Sequence, residues 1–241
     1  MRKSIAAAVI AASAATSACG QIHHGHGGAT VSRNYQVGNF QQIEVAGPYD
    51  VEVRTGGNPG VSASGSEKLL ERTVVEVQGN KLLIRPENNR SFFHFGWGSN
   101  GKARFTVTVP QLSGATIAGS GDIRVDRVAG QRFEGAVAGS GRIDVAALDV
   151  QSLKLSIAGS GDLKGTGKAQ SAEYEIAGSG DVDAAAIQTQ QLKVSIAGSG
   201  GVKAHSSGTA DVSIMGSGDI DVSGGAKCTI SKAGSGDVRC S

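Results

Sequence analysis

Aromatic side chains are scarce in this chain: six Phe, three Tyr and one Trp among 241 residues. An interior built on large rings is excluded, so a core has to be assembled from Ala, Val, Ile and Leu. Charge is sparse too, at 18% of residues, with 23 basic against 21 acidic. Such a balance lacks the basic patch that nucleic-acid binding needs, and no nucleic-acid partner is expected. Only four prolines occur and none follows Pro110, which suits segments that must all donate to continuous hydrogen-bond ladders. Apolar residues three and four apart, the mark of an amphipathic helix, are missing from the second half.

Glycine is abundant, at 37 residues, and it is periodic. Gly-Ser-Gly begins at Gly119, Gly139, Gly159, Gly178, Gly198, Gly216 and Gly234, in steps of 18 to 20 residues. A period of that length marks a stacked repeat architecture. Around each triplet the apolar residues alternate, as in Leu153, Leu155, Ile157 before Gly159 and Ile143, Val145 after Gly139. Each unit reads as strand, glycine corner, strand and a looser return. The fold class is all-β: a single-chain β-solenoid, or β-helix, of 18–20-residue coils with stacked Gly-Ser-Gly corners. About ten coils at ~4.8 Å spacing predict a rod of ~50 Å.

The N-terminus reads as an export signal over 1–18, with Arg2 and Lys3 before the apolar run Ile5 to Ala15, which is too short to span a bilayer. Ser17-Ala18-Cys19-Gly20 resembles the lipobox of bacterial lipoproteins, which would make Cys19 the lipidated first residue and the membrane a partner through that anchor. Conventional cleavage is the alternative. Loss of Arg2 and Lys3 leaves the mature chain formally neutral. The expected address is the exported cell envelope, with the outer membrane favoured because Gly20 is not Asp, and the periplasm or secretion as the alternative. Residues 19–39 read as a polar tether; its His23, His24 and His26 form either a metal-binding tract or a spacer.

Residues 40–112 read as divergent coils, in which Gly47-Pro48-Tyr49 stands where later units carry Gly-Ser-Gly. Apolar segments at Leu69 to Val77 and Leu82 to Ile84 flank the turn signal Gln78-Gly79-Asn80-Lys81. Within this region lies an aromatic insertion over 91–98, containing Phe92, Phe93, His94, Phe95 and Trp97. It reads as a loop that docks on a glycan, a membrane or a protein, or as a flap protecting the solenoid. Residues 113–241 form the regular repeat.

Three columns follow from the period. The corner serines, from Ser120 to Ser235, form a hydroxyl row that would bond turn backbone or each other. No His or Lys recurs to activate them as nucleophiles. The position after each corner holds Asp122, Arg142, Asp162, Asp181, Gly201, Asp219 and Asp237. These suggest Asx-turn structure, or a cation row through Asp162, Asp181, Asp219 and Asp237, although Arg142 and Gly201 interrupt it. Cys228 and Cys240 fall in inward slots on opposite arms of the Gly234 corner, which predicts a disulfide closing the last coil. No cofactor is called for.

From Phe40 onwards the chain resembles the head GIN domain family of bacterial envelope adhesins. The resemblance rests on Ile43-Glu-Val-Ala-Gly-Pro-Tyr-Asp-Val-Glu-Val53, then Val75-Glu-Val-Gln-Gly-Asn-Lys-Leu-Leu-Ile84, Thr106-Val-Thr-Val-Pro-Gln-Leu112 and the repeated Ile-Ala-Gly-Ser-Gly-Asp. It implies a β-solenoid exported to the envelope, often as a lipoprotein, and supplies no catalytic residues. The expected function is a non-enzymatic, tethered binding or structural module with a glycan or protein ligand. A polysaccharide-binding or polysaccharide-active β-helix competes with it, and an envelope-assembly accessory is a third reading.

Overall fold

The computed structural model describes residues 30–87 and 103–241. Its regular half is a parallel β-solenoid. Four strands each make a whole turn between glycine corners: β11 (Arg142–Gly159), β12 (Asp162–Gly178), β13 (Asp181–Gly198) and β14 (Gly201–Gly216). The return expected to be looser is therefore extended as well. In β11 and β12 the pairing runs Arg142↔Asp162 to Val145↔Gly165, resumes at Leu148↔Gly167, and again from Ser152↔Ser171 to the next corner. Those three paired stretches are the three sides of the turn, and the breaks are its bends. β9 (Asp122–Val125) with β10 (Val128–Gly139) completes a turn at one end, and β15 (Asp219–Ser223) with β16 (Lys227–Gly234) at the other. The seven corners thus bound about six complete turns. β17 (Val238–Cys240) adds one last arm beneath β15.

The first half is stacked out of chain order. β2 (Gln42–Ala46) and β3 (Asp50–Thr55) flank the Gly47 corner. β2 lies between β6 (Lys81–Pro86) and β8 (Gly114–Gly119), while β3 lies between β7 (Arg104–Val109) and β9. The second level formed by the chain therefore sits outside the first, and the third on its inner side. Among the described residues the stack before the corners holds nine levels rather than ten: β6, β2, β8, β10, β11, β12, β13, β14 and β16. The rod is correspondingly shorter, ~43 Å.

Antiparallel strands close the N-terminal end. β4 (Gly60–Ser66) pairs with β7, and β1 (Thr30–Tyr35) pairs with β4. On the neighbouring side β5 (Thr73–Gln78) pairs with β6 through the Gln78–Lys81 turn, where Gly79 has φ 61°. Between them α1 (Glu67–Glu71) sets Leu70, only 1% exposed, against the end of the core. Two expectations are corrected here. Residues 30–35 of the segment read as tether form a strand, and Leu69 belongs to a helical turn. Elements with few local sequence signals adopt these forms because they cover an apolar end that would otherwise meet water.

Inside, residues of one phase stack into columns such as Val45, Ile117, Val137, Ile157, Ile176 and Ile196, all buried. Large residues are offset by small ones within their own turn. Tyr174 shares its turn with Gly165 and Ala172, where the preceding turn carries Val145 and Leu153. Phe133 is followed by Gly135, and a Cβ there would lie 2.9 Å from Leu155 Cδ2. Constant cross-section, a condition for stacking at close packing, is met turn by turn.

Candidate functional site

The corner column is the most repetitive feature of the molecule and the geometry explains its composition. The first glycine of each triplet has positive φ, from 128° at Gly139 to 143° at Gly119, a region that side chains with a Cβ rarely enter. The second is excluded from substitution by proximity: a Cβ on Gly141 would lie 2.5 Å from Gly121 O and 2.7 Å from Ile117 Cγ2. Between them the serine backbone carries a ladder, as Ser140 N–H donates to Gly119 O and Ser160 N–H to Gly139 O, both at 2.9 Å. The serine side chains from Ser120 to Ser235 are exposed, so the bonds expected of their hydroxyls are made by their N–H groups instead. Gly47 joins the same column, donating its N–H to Ala118 O at 3.0 Å.

The column after the corners is acidic and bonds from turn to turn. Arg142 pairs with Asp162 at 2.8 Å, and this contact raises the Arg142 pKa. Asp181 Oδ1 accepts the Gly201 N–H at 2.8 Å, and Asp219 Oδ1 accepts the Asp237 N–H at 3.0 Å. These are bonds between levels, whereas Asx turns would bond within one. Among the described residues no three His, Cys, Asp or Glu side chains converge as a metal-binding group.

Two residues further on, the stacked positions alternate in sign: Glu52, Arg124, Asp144, Lys164, Asp183, Lys203, Asp221 and Arg239. A second alternating row runs down the face before the corners, through Glu134, Lys154, Glu173, Lys193 and Asp211. Glu173 is held there by Lys193 at 2.8 Å and Lys154 at 3.5 Å, which lowers its pKa. Opposite charges on directly facing strand positions are favourable and like charges are not, so alternation is the arrangement a long parallel stack requires. These rows are visible in the sequence only when residues about twenty apart are read in register.

Gly201 interrupts the acidic column, and a groove of about 470 Å³ lies beside it. Its walls are Asp181, Asp183, Asp219 and Asp221, with Lys203 and Arg239 among them. The sequence shows the interruption but not the groove, which is lined by residues from four levels of the stack.

The remaining expected sites divide between described and undescribed residues. Cys228 and Cys240 form a disulfide with Cα atoms 6.7 Å apart, joining β16 to β17 across the last coil, and both are half-buried. Cys19, His23, His24, His26 and the insertion residues Phe92, Phe93, His94, Phe95 and Trp97 lie outside the described residues. The ends of the insertion are anchored: Glu87 N–H donates to Arg72 O at 2.8 Å, and Ala103, fully buried, accepts the Asp50 N–H at 3.1 Å. The strands that flank it, β6 and β7, pair with β2 and β3 on either side of the Gly47 triplet. The role of end cover belongs, among the described residues, to β1, β4, α1 and β5.

Stacked corners, inter-turn ladders and an antiparallel cap define a capped parallel β-solenoid. Solved structures of similar architecture include bacterial proteins described as putative adhesins. A putative adhesin from Bacteroides fragilis superposes with TM-score 0.77 at 22% identity, covering 87% of this chain and 96% of the other. A putative lipid binding protein from Parabacteroides distasonis gives 0.70 at 24%, covering 87% and 95%. A putative adhesin from Parabacteroides merdae gives 0.65 at 18%, covering 88% and 97%. Comparison with curated proteins gives no match. Residues 39–226 match the family "Putative auto-transporter adhesin, head GIN domain", and the chain belongs to that family.

Proposed function

We propose that this protein is a non-enzymatic, adhesin-like module of the bacterial envelope, tethered through Cys19 and presenting the 91–98 insertion from a rigid rod. The observation that carries the reading is the placement of that segment's anchors. Every described corner in the column is a three-residue bend, whereas the β6–β7 level devotes residues 87–103 to the same connection. Its flanking strands are integral to the core, with Leu82, Ile84, Phe105 and Val107 fully buried. A rigid scaffold carrying one long connection is how binding loops are commonly displayed. Four aromatics in that connection supply anchors of the kind that dominate interface energetics. Family membership supports the adhesin-like class.

The test is twofold. Protease shaving and labelling of intact cells should reach the chain, and complete protection would overturn surface display. Replacing Phe92, Phe93, Phe95 and Trp97 with Ser should abolish retention on a glycan and protein array while the β circular-dichroism spectrum persists. The alternative, a polysaccharide-binding β-helix, is favoured by the groove beside Gly201 with its carboxylates and two cations. It predicts that Asp181→Asn with Asp219→Asn removes glycan retention and that the aromatic replacements leave it intact.

A further inference from the structure

We propose that the face preceding the corners is a self-complementary docking surface for a second copy of this chain, lying antiparallel to the first. The three sides of the solenoid differ in what they present. The side after the corners carries Asp50, Asp122, Asp162, Asp181, Asp219 and Asp237 in one row, with Arg104 and Arg142 as its cations. Face-to-face docking about a two-fold along the strands brings each row against itself, so that acidic row opposes such contact. The third side is short, limited in β11 to Leu148–Val150.

The side before the corners has the opposite character. Its outermost row is Ala118, Ala138, Ala158, Ala177 and Ala197, all exposed, followed by Met215, the most exposed large apolar residue described, at 69%. Two positions back the row is Thr116, Ala136, Ser156, Glu175, Ser195 and Ser213. Small, nearly uncharged side chains permit close approach of two sheets. Small residues alone choose no partner; the alternating row beside them does.

Glu134, Lys154, Glu173 and Lys193 read minus, plus, minus, plus down the stack. Inverted, that order is its own complement. The two-fold that sets Lys154 opposite Glu173 of a second copy also sets Lys193 opposite its Glu134. In the same register Met215 meets Ala118, Ser156 meets Glu175 and Glu44 meets Ser231, with no like charges opposed. Moving one copy by a single level brings Lys154 onto Lys154, so registers an odd number of levels away are disfavoured. The ladder charges remain available, with side chains of Lys154, Glu173 and Lys193 at 37%, 33% and 64% exposure. Symmetric, isologous contact of this kind closes after two copies.

Sedimentation equilibrium of the mature chain tests the proposal, which does not depend on the insertion or on the anchor. A dimer is expected, weakening about tenfold from low to high salt because rim charges are screened. Ala158→Glu, remote from the ladder and fully on the surface, should leave a folded monomer. A monomer at all concentrations and salts overturns the proposal, and so does a dimer that survives Ala158→Glu.

Discussion

Arg142 reaches one level down the stack and donates from both Nε and Nη2 to a single oxygen of Asp162, at 3.2 and 2.8 Å. It separates Asp122 from Asp162 in a column that is mostly acidic. Both partners are well exposed, so Arg142→Ala should cost less than about 1 kcal/mol in urea unfolding. Arg142→Asp should cost more, by setting a third carboxylate between two others, and high salt should recover most of the difference.

The corner glycines should be far less tolerant. Gly139→Ala demands φ near 128° of a residue with a Cβ and drives that Cβ onto Gly119 O. A loss of roughly 2–5 kcal/mol is expected from backbone strain and overpacking together. Gly38→Ala, with open space around it, should change the same midpoint by no more than about 0.5 kcal/mol.

Tyr174 is buried, and its hydroxyl has no hydrogen-bond partner among the described residues. Tyr174→Phe should therefore raise stability by about 1 kcal/mol, since an unsatisfied buried group is removed and the ring is kept. Burial pushes the phenol pKa of Tyr174 well above its ordinary value, and raises those of Tyr49 and Tyr35 too. Below pH ~10 both folded and unfolded chains keep these protons. Above it the unfolded chain loses them first, so stability falls as pH rises. Alkaline unfolding should be shallower for Tyr174→Phe, and an unchanged pH profile would contradict the assigned cause.

Breaking the bond between Cys228 and Cys240 should loosen the last coil without unfolding the rod. Twelve residues separate the two cysteines, and a loop of that size is worth roughly 3 kcal/mol. Hydrogen exchange after reduction, or in Cys228→Ser, should show lost protection in β15 to β17 while β11 to β13 stay protected. Uniform loss through the molecule would show that the bond supports the whole stack.

Much of the regular half was legible because its cause is local. Glycine at 119 is required by the positive φ of the bend itself, and the alternation of Leu153, Leu155 and Ile157 by a strand with one face inward. The Gly47 triplet was recognisable for the same reason. What escaped was set by neighbours distant in the chain. Nothing in Thr30–Tyr35 announces that it will pair with β4, and Glu67–Glu71 becomes helical where Leu70 can cover an open core.

By itself, then, the order of residues determined the coil length, the corner chemistry, the inward and outward faces and the phase of the two terminal cysteines, all of which follow from steric rules within one turn. Tertiary structure alone decided that β2 would lie between β6 and β8, that four aspartates would line one groove beside Gly201, and that charges twenty residues apart would alternate in contact. Those outcomes depend on which strands become hydrogen-bonded neighbours, a choice made by packing across the whole stack.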